Sequence, residues 1–380
     1  MEVPPTIPKG SEGALSCYNP MLSEPTPFVN PETGKRQYKF LMSVKKWLDL
    51  APETEDELRE TGKISVRTHA ANHGVYRVNL FDRSTGELIA REWHHDLLVL
   101  PCGQCLDCRC RHAQEWANRI MLEAQYHDKS YFITLTYDDM HVPRIRAPDG
   151  EEVLTLRPKD LQEFIKRLRW SQHYYHENKI RYYAVGEYGS TTHRPHYHII
   201  VFGLVLDDLK EIGRNKSGTL LHDSQTIRDL WQNGLTEVDE MTWEAAAYCA
   251  RYTTKKLGKS ETDFYKQHGL VPELSRMSLK PAIGWQYFDD HKQEIYDTDK
   301  IYIATAKGGR TVKPPRYFDQ KFDDIYPAQM EQVKGNRREI AEAATVARLA
   351  NYNGSYTELL YLNEQKMKNR NKMLRRNLEL

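Results

Sequence analysis

Ile180-Arg-Tyr-Tyr-Ala-Val-Gly-Glu187, then Tyr188-Gly-Ser-Thr-Thr-His-Arg-Pro195, then His196-Tyr-His-Ile-Ile-Val-Phe202 form two β-forming runs about a turn. Gly186, Gly189 and Pro195 punctuate that turn. The second run is apolar on both faces, which marks a central strand rather than an edge. Side chains alternate along a strand, so His196 and His198 share one face and Tyr197 takes the other. On the preceding strand Tyr183, Val185 and Glu187 likewise share a face.

Outward from this hairpin the elements alternate. Tyr131-Phe-Ile-Thr-Leu-Thr-Tyr137 is rich in β-branched and aromatic residues and reads as a strand. Pro158 opens a helix running to about Ser171, with Leu161, Phe164, Ile165 and Leu168 as its buried stripe. Downstream, Ser224 to Gln232 reads as a helix ended by Asn233-Gly234, and Leu235 to Glu240 as a strand. Thr242 then caps a helix extending to about Leu257, with Glu244 in its positive first turn. The order β, α, β, β, α, β predicts an α+β fold: a central antiparallel sheet covered by helices on one face, as in ferredoxin-like (RRM-like) cores.

The flanks are less regular. Residues 1–35 are rich in Pro, Ser and Gly and read as an irregular arm. Residues 36–128 form a β-rich region, with a hairpin over Gly74 to Trp93, a cysteine cluster and a connecting helix from Arg111 to about His127. The core spans 129–290. Residues 291–380 add a C-terminal extension whose end, from Asn336, reads as one or two polar helices broken near Asn353-Gly354.

Composition narrows the class without naming a function. A hydrophobic share of 39% over 380 residues supports a folded core, and a net charge of +1 does not by itself announce a nucleic-acid binder. Lys166, Arg167 and Arg169 cluster, and Lys366 to Arg376 form a basic tail, yet each alone fits a solvated helix face. The longest apolar run, Ile199 to Leu206, is far shorter than a membrane span. Met1-Glu-Val-Pro-Pro-Thr has no basic start and no apolar stretch behind it, so a cytoplasmic protein without a signal peptide or membrane partner is expected.

Two paired imidazoles with a nearby carboxylate can hold a divalent cation against a phosphate oxygen. His196, His198 and Glu187 are the candidates. An isolated His-x-His is short and frequent by chance, and two histidines capping a strand would explain it as well. Its company is Tyr248-Cys-Ala-Arg-Tyr252-Thr-Thr-Lys255. Tyrosines four apart share a helical face, and Lys255 falls on that face too. Two core tyrosines would explain the pair alone, but a core stripe seldom includes a lysine. Cys249, between the tyrosines, is read as packing, and His94 and His95, on opposite strand faces, as structural.

A strand like Phe132-Ile-Thr-Leu-Thr-Tyr-Asp-Asp139, a later His-x-His strand and a downstream Tyr-x-x-x-Tyr-x-x-Lys together resemble the HUH endonucleases. The two-tyrosine form is similar to replication initiators of small isometric single-stranded-DNA phages. The gokushovirus-like branch is matched by Cys-Gly-x-Cys-x-x-Cys-Arg before Trp116-Ala117, by Gly186-Glu-Tyr-Gly189 and by Arg276-Met-Ser with Pro281-Ala-Ile-Gly284. These matches span roughly Cys102 to Gly284 in the family's order, with Ala282 where the family more often has Gly.

The resemblance implies a site-specific nickase and strand transferase of rolling-circle replication, acting on single-stranded DNA and the viral replicative-form origin in the host bacterial cytoplasm. It implies Mg²⁺ or Mn²⁺ held by His196, His198 and Glu187, with Tyr248 or Tyr252 attacking to leave a 3′-OH and a 5′-phosphotyrosine. Lys255 positions the phosphate or stabilises the phenolate. A host DNA polymerase and helicase are implied partners, since the sequence lacks a Gly-x-x-x-x-Gly-Lys-Ser/Thr loop.

Cys102, Cys105 and Cys108 can give three thiolates to a structural Zn²⁺, with Cys110, His112 or Cys17 as the fourth ligand. The family's tendency to have a cysteine near the N-terminus favours Cys17. Reduced, unliganded thiols are the plainer alternative. Two other functions compete: a zinc-stapled DNA-binding module without catalysis, which tolerates Phe at both 248 and 252, and an HUH transposase, whose usual single tyrosine leaves the pair unexplained.

Overall fold

The computed structural model describes residues 17–29, 36–52, 54–65, 77–82, 88–93, 96–148, 150–189, 192–214, 218, 220–252, 259–305 and 308–376. The chain packs as two units, residues 1–109 with 323–380, and residues 110–322. No helix among the described residues is long and apolar enough to cross a membrane.

The first unit holds β1 (Met21–Val29), β2 (Arg36–Ser43), α1 (Val44–Leu50), α2 (Thr54–Thr61), β3 (Ile64–Ser65), β4 (Arg77–Asp82), β5 (Leu88–Trp93) and β6 (Asp96–Leu100). The strand order is β3-β6-β1-β4-β5, with β2 also on β1. β4 and β5 pair antiparallel, which is the hairpin read from Gly74 to Trp93. His94 and His95 lie outside the described residues. α3 (Leu106–Ala124) follows and starts five residues earlier than the sequence suggests, with Asp107 in its positive first turn.

The second unit is built on β7 (Ser130–Tyr137), β8 (Arg144–Arg146), β9 (Glu152–Leu154), α4 (Pro158–His176), β10 (Arg181–Tyr188) and β11 (Pro195–Phe202). It continues through β12 (Lys210–Arg214), β13 (Leu220–Asp223), α5 (Gln225–Trp231), β14 (Gly234–Glu240), α6 (Trp243–Tyr252), α7 (Lys259–His268) and β15 (Leu274–Met277). After these come α8 (Trp285–Thr298), β16 (Ile301–Thr305), β17 (Gly308–Val312) and α9 (Arg316–Ile325). Seven strands form one sheet in the order β12-β13-β14-β7-β11-β10-β15, and every pairing in it is antiparallel. β11 lies between β7 and β10, as its two apolar faces require.

Helices cover both faces of this sheet, not one. Leu161, Phe164, Ile165 and Leu168 of α4 and Ile227 and Trp231 of α5 pack on Ile133, Leu135, Tyr197, Ile199 and Val201. On the reverse, Ala113, Ala117 and Ile120 of α3 and Ala246, Cys249 and Ala250 of α6 pack on Phe132, Tyr183, Val185, Ile200 and Phe202. The reason is strand alternation: both residue parities of β7, β10 and β11 are apolar, so each face demands a cover. Gly186 sits opposite Tyr197, and a Cβ there would stand 2.9 Å from the Tyr197 ring. The missing side chain makes room for that phenol, whose hydroxyl reaches the Arg157 carbonyl at 2.8 Å.

Trp231 is fully buried, with rings of Tyr137, Tyr197 and Phe164 at 5.1, 5.9 and 6.1 Å, and its indole N–H donates to the Thr136 carbonyl at 3.2 Å. Trp231→Ala is therefore expected to destabilise the second unit by about 3–5 kcal/mol. Denaturant unfolding followed by α/β circular dichroism measures this, and a loss below about 1.5 kcal/mol would mean that this face of the sheet is not the core.

The chain ends with α10 (Pro327–Ala350) and α11 (Tyr356–Arg376), divided close to Asn353-Gly354. They belong to the first unit, where Leu349, Tyr356 and Leu360 share a core with Leu22, Trp47, Leu58 and Ile64. Arg59 of α2 donates to the carbonyls of Leu349 and Tyr352 at 3.3 and 3.2 Å, and Glu55 accepts from the Tyr356 N–H at 2.9 Å.

Candidate active site

The β10–β11 register sets Glu187 opposite His196 and Val185 opposite His198. Glu187, His196 and His198 therefore project from the same face, and their ligand atoms lie within 4.8 Å of one another. One carboxylate oxygen, Glu187 Oε1, is the hub: it lies 2.8 Å from His196 Nε2 and 2.9 Å from His198 Nε2. Glu187 and His198 are buried and His196 is half-buried. Burial alone would raise the Glu187 pKa. Hydrogen bonds from His196 and His198, with their charge, more than offset that and hold it at about 2.

Each imidazole is fixed from its other nitrogen. His196 Nδ1 is 3.1 Å from the Arg194 carbonyl, an acceptor, so Nδ1 bears the hydrogen. In the neutral ring Nε2 then aims a lone pair at Glu187. That confrontation is relieved by a proton or by a cation between them, so the donor set fits a divalent ion. His198 Nδ1 meets Thr134 Oγ1 at 3.0 Å from β7, and the Phe132 ring stacks on His198 at 5.3 Å and 13°. Arg194 holds the turn ahead of His196: it donates to the Tyr137 carbonyl at 2.7 Å and pairs with Asp139.

α6 delivers the tyrosine. Its first turn is capped by Thr242, whose hydroxyl accepts from the Ala245 N–H at 3.1 Å. Ala246 and Ala250 are small and buried, which lets the helix lie close to β10 and β11. Tyr248 then stands over the histidines, its hydroxyl 3.3 Å from Glu187 Oε1 and its ring 5.1 Å from His198. The Arg251 guanidinium lies 5.9 Å from the Tyr248 ring centre. Cys249 is fully buried, and desolvation first, then the charge of Glu187, push its thiol pKa well up, which keeps it protonated and inert.

The structure thus brings together four of the six residues singled out for this chemistry: Glu187, His196, His198 and Tyr248. Tyr252 closes α6, but its side chain lies outside the described residues, as does all of Lys255. Thr134, Phe132, Arg194 and Arg251 complete the surroundings and were not singled out as site residues. Only the apolar alternation and the Arg-Pro pair hinted at them.

A protein of Spiroplasma virus 4 described as replication-associated protein ORF2 is 35% identical over 316 residues, covering 80% of this chain and 94% of its own. The chain belongs to this microvirus family. A second member, replication-associated protein VP4 of Bdellovibrio phage phiMH2K, is 32% identical over 252 residues, 64% of this chain and 75% of its own. Replication-associated protein ORF4 of Chlamydia phage 1 is 28% identical over 242 residues, 60% of this chain and 57% of its own. The family model for the ORF2 type of replication-associated protein matches residues 130–257, a span that includes every residue of the histidine–tyrosine site. No solved structure matches the chain.

This microvirus replication-associated chain also gathers Cys17, Cys102, Cys105 and Cys108, with sulfurs within 4.8 Å of one another. Cys110 and His112 stand outside the group. Cys105 Sγ is 3.8 Å from Cys17 Sγ. A tetrahedral ion with metal–sulfur bonds of about 2.3 Å separates its sulfurs by about 3.8 Å, so the spacing fits Zn²⁺. Gly103, at φ +72°, turns the Cys-Gly-Gln-Cys knuckle, and the N–H groups of Gln104 and Cys105 point at Cys102 Sγ at 3.4 and 3.2 Å. Hydrogen bonds with Cys108 and Cys17 push the Cys105 thiol pKa far down, the state a metal ligand needs.

Proposed function

We propose that this protein starts rolling-circle replication of a circular single-stranded-DNA phage genome by nicking the origin strand through a tyrosine and later rejoining it. The observation that supports it is the meeting of His196 Nε2, His198 Nε2 and the Tyr248 hydroxyl at a single carboxylate oxygen of Glu187.

Glu187, His196 and His198 would hold a divalent ion. Two imidazoles and one carboxylate suit Mn²⁺ better than Mg²⁺, which prefers oxygen, although cellular abundance favours Mg²⁺. The bound ion supplies Lewis-acid polarisation of a non-bridging phosphate oxygen. Tyr248 Oη attacks the phosphorus, the P–O3′ bond breaks, and the phenolic proton is replaced on the departing strand as a free 3′-OH. The 5′ side stays on the tyrosine as a phosphodiester, so the bond energy is kept and no nucleotide is needed for joining.

Tyr252, one helical turn on, is the second nucleophile: it cuts the regenerated origin, and the new 3′-OH displaces the first tyrosine to close a circle. Lys255 positions the phosphate. Strand opening and synthesis from the 3′-OH fall to a host helicase and polymerase in the bacterial cytoplasm. The four-cysteine cluster takes a structural Zn²⁺.

The test is an SDS-resistant adduct on labelled single-stranded origin DNA. Wild type is expected to form it with Mn²⁺ or Mg²⁺ and to lose it in EDTA, and His198→Ala to lose it by at least about 100-fold, beyond what outer-shell changes cost. Proteolysis should leave the nucleotide on the peptide that contains Tyr248 or Tyr252. Sequence-selective binding with no adduct under any metal would leave a DNA-binding module without catalysis.

A further inference from the structure

Trp170, Tyr174 and Tyr175 at the C-terminal end of α4 are exposed to 60%, 66% and 66%. They are not part of the helix's packed stripe. Trp170 and Tyr174, one turn apart, stack at 5.0 Å and 11°, and Tyr175 stands edge-on to Tyr174 at 4.9 Å and 85°. Each stacked ring gives one face to its neighbour and turns the other to solvent. The mount is firm: buried Gln172 exchanges hydrogen bonds with the Val205 backbone, both 2.9 Å, and the Asn178 N–H closes the helix on the Gln172 carbonyl at 3.1 Å. A patch of large rings left uncovered on a rigid element marks a binding surface.

The surrounding charge says for what. From Phe164 to Lys179 the chain has four basic residues and one acid, Glu177. Arg167 is spent on the carbonyls of Leu230 and Trp231, which leaves Lys166, Arg169 and Lys179 exposed around the rings. Aromatic faces beside a basic rim suit unstacked bases on a phosphate backbone, and a duplex keeps its base faces covered. We propose that Trp170 and Tyr174 form a sequence-tolerant stacking platform for single-stranded DNA, separate from the nicking site; the identity of the polymer rests on the replication reading above.

The platform is remote from the histidines. α4 begins beside Tyr197, where the Arg157 backbone meets the phenol, and climbs away along the sheet. Twelve residues of helix from Pro158 to Trp170 span about 18 Å, on the face opposite the histidines. Only a strand several nucleotides longer than the nick site can reach both. The platform would hold the strand displaced or approaching during a cycle.

Binding measured in EDTA separates this from nicking. Anisotropy titrations would use two oligonucleotides, a minimal nick-site one and the same one extended by thymidines. Trp170→Ala/Tyr174→Ala is expected to weaken the extended oligonucleotide about tenfold or more and leave the minimal one unchanged, while Trp170→Phe/Tyr174→Phe retains most of the affinity. On wild type, an extended oligonucleotide bearing iodo-deoxyuridine should photocrosslink to the peptide of residues 166–179. Extended-DNA affinity within twofold of wild type in the alanine pair, or no crosslink on that peptide, overturns the platform. So does a loss of self-association in that variant with DNA affinity intact, which would assign the rings to a second copy. Crosslinking to the platform by a wild type that never forms an adduct removes the nicking reading and leaves this one standing.

Discussion

Tyr248→Phe/Tyr252→Phe is expected to bind single-stranded origin DNA as wild type does and to form no covalent adduct, a loss on the order of 10⁴-fold or more, as for removal of other catalytic nucleophiles. The substitution is nearly isosteric at 248. The ring that stands 5.1 Å from His198 and 6.2 Å from Phe132 is kept, and only the hydroxyl at 3.3 Å from Glu187 goes. One partly exposed hydrogen bond is worth about 1 kcal/mol, so melting should barely move. Chemistry and folding are thereby separated within one variant. The single changes divide the labour: the one that abolishes the first cut names the first nucleophile, and the other should still accumulate a nicked, tyrosine-linked strand. An adduct of wild-type yield in the double variant would mean that some other side chain attacks the phosphate, and the role given to α6 would fall.

The arrangement behind that expectation was largely readable from residue parity. Two strands about a short turn, with Glu187 at the end of one and His196 at the start of the next, must pair near those residues, and alternation then puts all three side chains on one face. α6 was readable from Thr242 and Glu244, and α4 from Pro158, although α4 runs on to His176 because Gln172 and Ser171 are buried where the sequence looks polar.

What stayed hidden has physical reasons. β12 is exposed at all five positions, so it has no periodicity to read, and its place at the sheet edge comes from pairing with β13. Cover on both sheet faces needed both parities of three strands to be weighed together. Arg194 and Thr134 fix the histidines through a backbone carbonyl and a cross-strand hydroxyl, contacts that no local motif encodes. The joining of α10 and α11 to the N-terminal sheet depends on Arg59 and Glu55 meeting residues some 290 to 300 positions away.

Removal of zinc, or Cys102→Ser/Cys105→Ser, is expected to unfold most of the first unit and to lower its melting point by more than about 10 °C. The cluster ties Cys17, just ahead of β1, to the knuckle 85 residues later, beyond β6. β1 and β6 are direct partners, with Met21 opposite Leu100, so the metal would sit where that pairing begins. Structural zinc contributes about 10–16 kcal/mol in small zinc peptides, as much as the net stability of a whole domain. Four thiols without metal offer little to replace it: Cys17 is buried, and its neighbours' sulfurs are held within 4.8 Å of it with no disulfide formed. Hydrogen exchange on the full chain resolves the effect by region. Protection should collapse over 21–29 and 96–100 in the serine pair, while 130–137 and 195–202 keep theirs, because the seven-stranded sheet has its own two-faced core. Elemental analysis should give about one zinc per wild-type chain. If purified protein holds no zinc and the serine pair melts with wild type, the four sulfurs are merely reduced thiols packed together, and the first unit stands on Leu22, Trp47 and their neighbours alone.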